Sequence, residues 1–157
     1  LEAGAGKTPS SPRRRARELV AQCLYQAEVC QVPIYENCEK LQAPRELPSD
    51  ARDYAGELCR VLSERQTDFD ALLRPHLKNW SFDRLGVIDR EVLRLATAEL
   101  LVMQGTPARV VLDEAVAIAG KFGGEESGRF VNGILDQLAR KLRPGELEEA
   151  NADRSGT

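Results

Sequence analysis

Apolar residues recur at helical spacing along almost the whole chain, and no segment shows the sustained alternation of a half-buried strand. In the first stretch the apolar side chains fall three and four residues apart, so they line one face of a helix. Ser11 is placed to cap this helix and Pro12 to occupy its first turn, which predicts a helix over about residues 12–29. We therefore expect an all-α fold. The apolar positions of the first helix are Ala16, Leu19, Val20, Cys23, Leu24 and Ala27.

The middle of the chain predicts further helices separated by proline-containing connections. Residues 31–48 contain three prolines and read as a connection with one short helix near residues 36–41. A second strong helical segment begins at Ser49 or Asp50. A third segment, which carries Phe69, Leu72, Leu73, His76 and Leu77, is either a separate helix or a continuation of the second with a bend.

The last part of the chain predicts three more helices. A segment over about residues 85–103 has apolar residues on so many sides that we expect a central, buried helix. Thr106 is placed to cap the next helix, which opens at Pro107 and stops at Gly123 and Gly124. The final helix finishes before Pro144.

These segments suggest one helical domain with a polar stretch at each end. Residues 1–11 read as a flexible leader and residues 144–157 as an acidic, disordered tail. Gly86 and the aromatic pair before it mark a seam between two small bundles. We expect an N-terminal bundle at about residues 12–80 and a C-terminal bundle at about residues 81–143.

The composition argues against several classes of protein. No apolar run is long enough for a membrane span, and the first residues lack a signal peptide's hydrophobic region, which favours a cytoplasmic protein. The four cysteines form no C-x-x-C pair and the only histidine is His76, which argues against structural zinc. There is no glycine-rich phosphate loop and no nucleophile elbow. We expect no catalytic residues, no metal and no cofactor.

Charge is distributed unevenly along the chain, whose net charge is −3. Residues 1–17 hold five basic residues and one acidic residue, whereas the remainder holds 17 basic and 24 acidic residues. At about 100° per residue, Arg14 and Tyr25 fall opposite the apolar stripe of the first helix, with Glu18 and Ala21, and Arg17 lies on the flank. Arginines beside an exposed aromatic ring suit single-stranded RNA, since guanidinium groups bind phosphate and the ring stacks on an unpaired base. The alternatives are a solvated charged helix end and a Tyr25 that packs on a neighbouring helix.

A second candidate site is the glycine-containing junction over residues 121–133. Glycines allow a ligand to approach the backbone closely, and a helix N-terminus offers amide donors to phosphate. The alternative is an ordinary turn between two helices, with Phe122 and Phe130 in the core. Glu99 lies near the apolar side of its helix and reads as a buried, hydrogen-bonded acid with a structural role.

Several motifs together resemble the NusB family of bacterial transcription antitermination factors, over roughly residues 12–143. The motifs are Arg13-Arg14-Arg15-Ala16-Arg17-Glu18 with Gln22 and Leu24-Tyr25, then Trp80-Ser81, Asp89-Arg90 and Leu93-Arg94, then Asp113-Glu114-Ala115, and finally Phe130-Val131-Asn132-Gly133-Ile134-Leu135-Asp136. The last string is the most specific of them.

The resemblance implies an all-helical fold of two small bundles packed across each other, without enzymatic activity. It implies binding of the boxA element of ribosomal RNA transcripts together with the ribosomal protein NusE, alongside other Nus factors and RNA polymerase. The RNA-binding residues it implies are Arg14, Arg17, Tyr25, Phe122, Gly123, Glu126, Arg129 and Phe130. The NusE-binding residues it implies are Asp89, Arg109 and Asp113.

Two other functions remain open at this stage. The chain could be the NusB-like domain of an rRNA cytosine methyltransferase, or a helical protein-binding adaptor that binds no RNA. Titration with single-stranded RNA, with and without NusE, separates the adaptor from the RNA-binding factor.

Overall fold

The computed structural model of this chain describes residues 11–40, 47–79 and 81–147. These residues form α-helices joined by short turns and contain no strand, which confirms the predicted all-α fold. Two short 3₁₀ turns, Arg74–His76 and Phe82–Arg84, lie between the third and fourth helices. The helices are α1 (Pro12–Cys30), α2 (Ile34–Lys40), α3 (Ser49–Leu73), α4 (Val87–Val102), α5 (Ala108–Gly123) and α6 (Glu125–Leu142).

Helix α1 begins and ends where its local sequence predicts. The Ser11 hydroxyl accepts a hydrogen bond from the backbone N–H of Arg14 at 3.1 Å, and Pro12 occupies the first turn. At the other end Gln31 adopts a left-handed conformation, with φ of 55°, and its N–H reaches the carbonyls of Ala27 and Glu28. The buried stripe of α1 therefore faces α3 and α4 in a fixed orientation.

Helix α3 contains the predicted bend. Arg65 has φ of −125° and ψ of 21°, which lie outside the helical region, so the chain changes direction there. The bend separates two stretches of buried residues, and both pack against the rest of the molecule. Those residues are Ala51, Tyr54, Ala55, Leu58, Val61 and Leu62 before the bend and Phe69 and Leu73 after it.

Helix α4 is the centre of the molecule, as predicted. Every residue from Arg90 to Leu100 is buried, and α4 packs against α1, α3, α5 and α6. The buried apolar side chains form a continuous core that runs from α1 to the turn after α6. The division into bundles at residues 12–80 and 81–143 stays a prediction, because α4 packs against the helices on both sides of that boundary.

The N-terminus of α5 differs from the prediction. Thr106 does not cap this helix, because its hydroxyl lies 3.2 Å from the Tyr54 hydroxyl instead. The backbone N–H of Ala108 donates to the Glu146 carboxylate at 2.9 Å. A carboxylate at this position satisfies a free amide and also matches the positive end of the helix dipole.

The expected disordered tail is wrong over residues 144–147. Leu147 is only 1% exposed, and Arg143 donates hydrogen bonds to the carbonyls of Leu100 and Thr106. The buried Leu147 side chain and the hydrogen bonds from the Arg143 guanidinium to backbone carbonyls thus hold this turn against the rest of the molecule, despite its acidic composition. The leader at residues 1–10, the connection at residues 41–46, Trp80 and the tail at residues 148–157 lie outside the described residues.

Within the described ranges, none of the helices combines the length and the apolar character that a bilayer crossing requires.

Candidate nucleic-acid interface

Arg14 lies on the outer face of α1, as predicted, and is held by a carboxylate. Its guanidinium makes a bidentate contact to Glu114 of α5, with Nε 2.7 Å from Oε2 and Nη2 2.9 Å from Oε1. The hydrogen bonds and the charge of Glu114 raise the pKa of Arg14, and Arg14 in turn lowers the pKa of Glu114. The Arg14 side chain remains 41% exposed, so one side of the guanidinium can still reach a phosphate.

The expected exposure of Arg17 is wrong, because this arginine is only 3% exposed. Its Nε donates to both carboxylate oxygens of Glu99 at 2.8 and 2.9 Å, and the Tyr54 hydroxyl donates to the same carboxylate at 2.6 Å. Burial alone would lower the pKa of Arg17, but the hydrogen bonds and charge of Glu99 outweigh it and raise that pKa. Arg17 joins α1 to α4 inside the protein and does not present its guanidinium to a ligand.

Two other residues of α1 also face the protein. Ala21 is buried, which contradicts its predicted place on the outer face. The guanidinium carbon of Arg13 lies 3.9 Å from the centre of the Tyr54 ring, a cation–π contact. The arginine cluster therefore serves the fold as well as the surface.

The aromatic part of the predicted site is present on the surface. Tyr25 is 41% exposed and Phe122 is 39% exposed, so Tyr25 does not pack beneath a neighbouring helix. Both residues line one cleft of about 450 Å³ between α1, α4 and α5. The cleft is also lined by Ala21, Gln22, Gln26, Ile88, Glu91, Val92 and Ile118.

Lys121 adds a positive charge beside this cleft. Its amine lies 5.5 Å from the centre of the Phe122 ring and 3.1 Å from a carboxylate oxygen of Glu18 on α1. We define the RNA-candidate surface as Arg14, Gln22, Tyr25, Gln26, Lys121 and Phe122. It combines two exposed rings, two amides and two cations, which is the combination that binds unpaired nucleotides.

The glycine junction beside the cleft is a tight turn between α5 and α6. Gly124 has φ of 98°, a conformation that favours glycine. A Cβ on Gly123 would lie 2.6 Å from the Ser127 hydroxyl oxygen and 3.3 Å from a methyl group of Ile88, so only glycine fits there without a shift. Glu126 is exposed in the first turn of α6, where a negative charge suits the helix dipole. The geometry of the turn therefore accounts for Gly123, Gly124 and Glu126 without any role in ligand binding.

Arg129 and Phe130 line a different cavity from Tyr25 and Phe122. Arg129 is 72% exposed, with Nη2 3.7 Å from a carboxylate oxygen of Glu125, and Phe130 is half-buried. Both contribute to a cavity of about 450 Å³ that also includes His76. The predicted RNA residues are therefore divided between two concave surfaces.

The three residues predicted to bind NusE do not form one patch. Asp113 lies one helical turn after Arg109 on α5, and their charged atoms are 3.9 Å apart. Asp89 lies at the start of α4, next to Ile88, which approaches Gly123 at the opposite end of α5. The distance from Arg109 to Gly123 along the helix axis is about 21 Å at 1.5 Å per residue.

Two acidic residues, Glu28 on α1 and Glu91 on α4, interact with each other, and Glu91 lines the cleft. Arg90 donates to one oxygen of Glu28, and Arg94 donates to Oε1 of Glu91 at 2.6 Å. The remaining oxygen of each carboxyl is buried and has no other partner among the described residues. One proton between these two oxygens satisfies both, and burial together with Glu28 raises the pKa of Glu91 to about 8.

Several residues in this region have roles that were not predicted from the sequence. Gln26 follows Tyr25 and lies one turn beyond Gln22, so the helical spacing already indicates that both border the ring. The pairing of Glu28 with Glu91 has no such signal, because 62 residues separate them and only the packing of α1 on α4 brings them together.

The fold and this surface define a class: helical proteins that present an aromatic cleft, with cations beside it, next to a glycine-containing turn. The chain belongs to the NusB family, whose match spans residues 14–140. It is 40% identical over 151 residues to the transcription antitermination protein NusB of Deinococcus deserti, covering 91% of this chain and 89% of that protein. It is also 40% identical over 139 residues to the Thermotoga maritima protein of the same name, covering 88% of this chain and 98% of that protein.

Solved structures show the same likeness. A structure of T. maritima NusB superimposes with a TM-score of 0.81 at 39% identity, covering 90% of this chain and 99% of that one. A structure described as antitermination factors NusB and NusE in complex with double-stranded RNA matches with a TM-score of 0.71 at 27% identity, covering 83% of this chain and 97% of that one. Such matches extend over nearly the whole length of the related proteins.

Proposed function

We propose that this protein is a cytoplasmic transcription antitermination factor that binds a boxA-like RNA element together with the ribosomal protein NusE. It acts within a complex that contains other Nus factors and RNA polymerase, and it catalyses no reaction. The relatives in two organisms carry the name of transcription antitermination protein, and a related structure contains NusE and RNA. The family membership supports this function over a helical adaptor that binds no RNA.

The observation that carries the RNA-binding part of the proposal is the cleft between Tyr25 and Phe122. Each ring exposes about two fifths of its surface, although aromatic side chains of this size normally gain free energy from full burial. An unpaired base that enters the cleft would stack on either ring, and stacking of this kind contributes about 1–3 kcal/mol per base. The amides of Gln22 and Gln26 are placed to donate to, or accept from, the edge of that base.

The phosphate contacts would come from Arg14 and Lys121. Each cation already pairs with a carboxylate of the protein, Glu114 and Glu18; the carboxylates are partly buried, but the cations stay 41% and 57% exposed, and ion pairs at the surface contribute only about 0–1 kcal/mol. A phosphate can share or replace such a partner at small cost. Because the rest of the chain is acidic, this local pair of cations attracts RNA only weakly, which is consistent with a need for NusE.

The remaining predicted residues extend this proposal. Arg129 and Phe130 would contact RNA that leaves the cleft and passes across α6, while Gly123 and Glu126 lie at the turn between the two cavities. Arg109 and Asp113 would contribute to NusE binding at the start of α5. Asp89 lies near the cleft and would bind NusE only if the partner extends along the whole of α5.

The test measures the affinity of labelled RNA by fluorescence anisotropy, with and without NusE. Single-stranded boxA-like RNA is compared with a duplex of the same sequence. Tyr25→Ala and Phe122→Ala should each weaken binding of the single strand roughly 5-fold to 100-fold, because each removes a stacking surface.

Two control variants make this test specific. Tyr25→Phe keeps the ring and should bind RNA as the wild type does, and Tyr35→Ala removes an exposed ring on α2, away from the cleft. Equal affinities for the wild type, Tyr25→Ala and Phe122→Ala would contradict the assignment of this cleft. An absence of RNA binding with NusE present would contradict the proposed function itself.

A further inference from the structure

Three cysteines that are far apart in sequence come together where the first three helices meet. Cys23 is on α1, Cys38 on α2 and Cys59 on α3, and their sulfur atoms all lie within 4.8 Å of one another. All three are free thiols, and Cys23 is buried whereas Cys38 and Cys59 are partly exposed. Their irregular spacing argued against a metal site, but the spacing could not reveal a cluster that the packing of helices creates.

The spacing of the three sulfur atoms fits a single metal ion. Thiolates bound to zinc lie about 2.3 Å from the ion, so three of them around one ion are roughly 4 Å apart. The observed separations need only small rotations of the side chains to reach that arrangement. Among the described residues no histidine or carboxylate joins the cluster, so the protein supplies three sulfur ligands.

The short helix α2 is fixed in the position that the cluster needs. The side chain of Asn37 is buried and donates a hydrogen bond to the backbone carbonyl of Cys23 at 2.7 Å. This bond holds the residue before Cys38 directly against the residue that carries the first thiol. The hydrogen bond from Asn37 to Cys23 thus positions Cys38 beside the other two thiols.

An ion can reach the cluster from solvent. The three thiols line a cavity of about 490 Å³ that is open on one side and is distinct from the RNA-candidate surface. Arg52 and Arg60 also line this cavity, and Glu64 lies among the same lining residues. Three thiolates and one divalent ion carry a net charge of −1; Arg60 already pairs with Glu57 and Glu64, so Arg52 is the guanidinium group that can offset this charge.

We propose that Cys23, Cys38 and Cys59 form a binding site for one thiophilic metal ion, Zn²⁺ or Cu⁺. Each thiol releases its proton to solvent as its sulfur binds the ion, and no electron is transferred. For Zn²⁺ a water molecule from the cavity completes the four ligands, whereas Cu⁺ is satisfied by soft sulfur ligands. The bound ion joins α2 to α1 and α3.

The test uses the full chain, reduced with a phosphine and freed of metal, under anaerobic conditions. One arm titrates ZnCl₂ in competition with a chromophoric chelator, and the other titrates Cu⁺ in the same way. We expect one ion per chain for at least one of the two metals, and an increase in the thermal midpoint when that metal is added. Failure of both ions to bind at one per chain overturns the proposal.

Cysteine variants show whether the ion is bound by these three thiols. Cys38→Ser and Cys59→Ser should bind the metal at least about 100-fold more weakly, since loss of a supporting residue alone costs about 10-fold to 100-fold. Cys30→Ser is the matched control, because Cys30 is an exposed cysteine at the end of α1 outside the cluster. Circular dichroism without metal establishes that each variant is folded.

Alkylation provides a second measurement that does not depend on affinity. With the metal bound, iodoacetamide should modify Cys30 and leave the cluster protected, and without the metal it should also modify Cys38 and Cys59. Equal modification of Cys38 and Cys59 in both states would overturn the proposal, as would loss of metal binding in Cys30→Ser.

Discussion

Arg14 and Arg17 lie three residues apart on the same helix, yet they belong to two different regions of the molecule. Arg17 is enclosed with Glu99, Tyr54 and Thr106 where α1, α3 and α4 meet. Arg14 pairs with Glu114 at the surface and belongs to the RNA-candidate surface. The sequence around the two arginines is almost uniform, so the partners on neighbouring helices decide which arginine stabilises the fold and which is available to a ligand.

The two regions also differ in what their charges contribute. A buried ion pair loses much of its Coulombic gain to desolvation, but removal of one partner leaves the other charge buried and unpaired. A surface pair loses little when it is broken, because water replaces the missing partner. The buried network therefore makes the fold sensitive to mutation at Arg17, while the surface leaves Arg14 free to change partners.

The largest expected effect is on the buried network. Arg17→Ala should lower the free energy of unfolding by about 3–5 kcal/mol, because Glu99 is left as an unpaired buried carboxylate. Urea denaturation followed by circular dichroism measures this change. Arg60→Ala is the control, since Arg60 makes exposed pairs with Glu57 and Glu64, and this variant should unfold at nearly the same urea concentration as the wild type. Similar losses in the two variants would contradict the difference between interior and surface pairs.

An intermediate effect is expected from the paired acids Glu28 and Glu91, which lie near the end of α1 and near the start of α4. The pKa of Glu91 is raised from 4.5 to about 8, so the folded state favours its protonated form. The corresponding stability is fully present below the unfolded pKa and is lost as the pH rises through about 8. The free energy of unfolding should therefore fall between pH 5 and pH 9.

Glu91→Gln tests this pH dependence, because an amide keeps the shape of the carboxyl and can donate to Glu28 as the shared proton does. The variant should show a flatter profile of stability against pH over the same range. Glu126→Gln, which changes an exposed carboxyl on α6, should keep the wild-type profile. Parallel profiles for the wild type and Glu91→Gln would show that Glu91 is ionised throughout.

The smallest effect on stability is expected at the surface. Arg14→Ala should lower the free energy of unfolding by about 1 kcal/mol, because Glu114 is partly buried and loses a bidentate partner. The same variant should weaken RNA binding and reduce the slope of log affinity against log salt by roughly one unit, because one phosphate contact is lost. Binding measured by anisotropy at several salt concentrations checks this. An unchanged slope would show that Arg14 makes no phosphate contact, and RNA binding would then depend mainly on the aromatic rings.

The helices could be predicted from sequence because each depends on local spacing and local caps. The stripe of α1, the bend of α3 and the buried character of α4 all follow from which positions are apolar. Position around a helix also correctly predicted that Tyr25 is exposed. The same reasoning failed at Arg17 and at the cap of α5, because Glu99 and Glu146 are distant in sequence and only tertiary packing brings them near.

The contact between Glu146 and the first turn of α5 has a consequence for folding during protein synthesis. The backbone amide of Ala108 emerges from the ribosome 38 residues before the carboxylate that satisfies it. Until Glu146 and Leu147 have been translated, α5 has an uncapped end and the groove that receives Leu147 is open to water. The C-terminal half of the nascent chain thus reaches its final stability only when this last turn has been made.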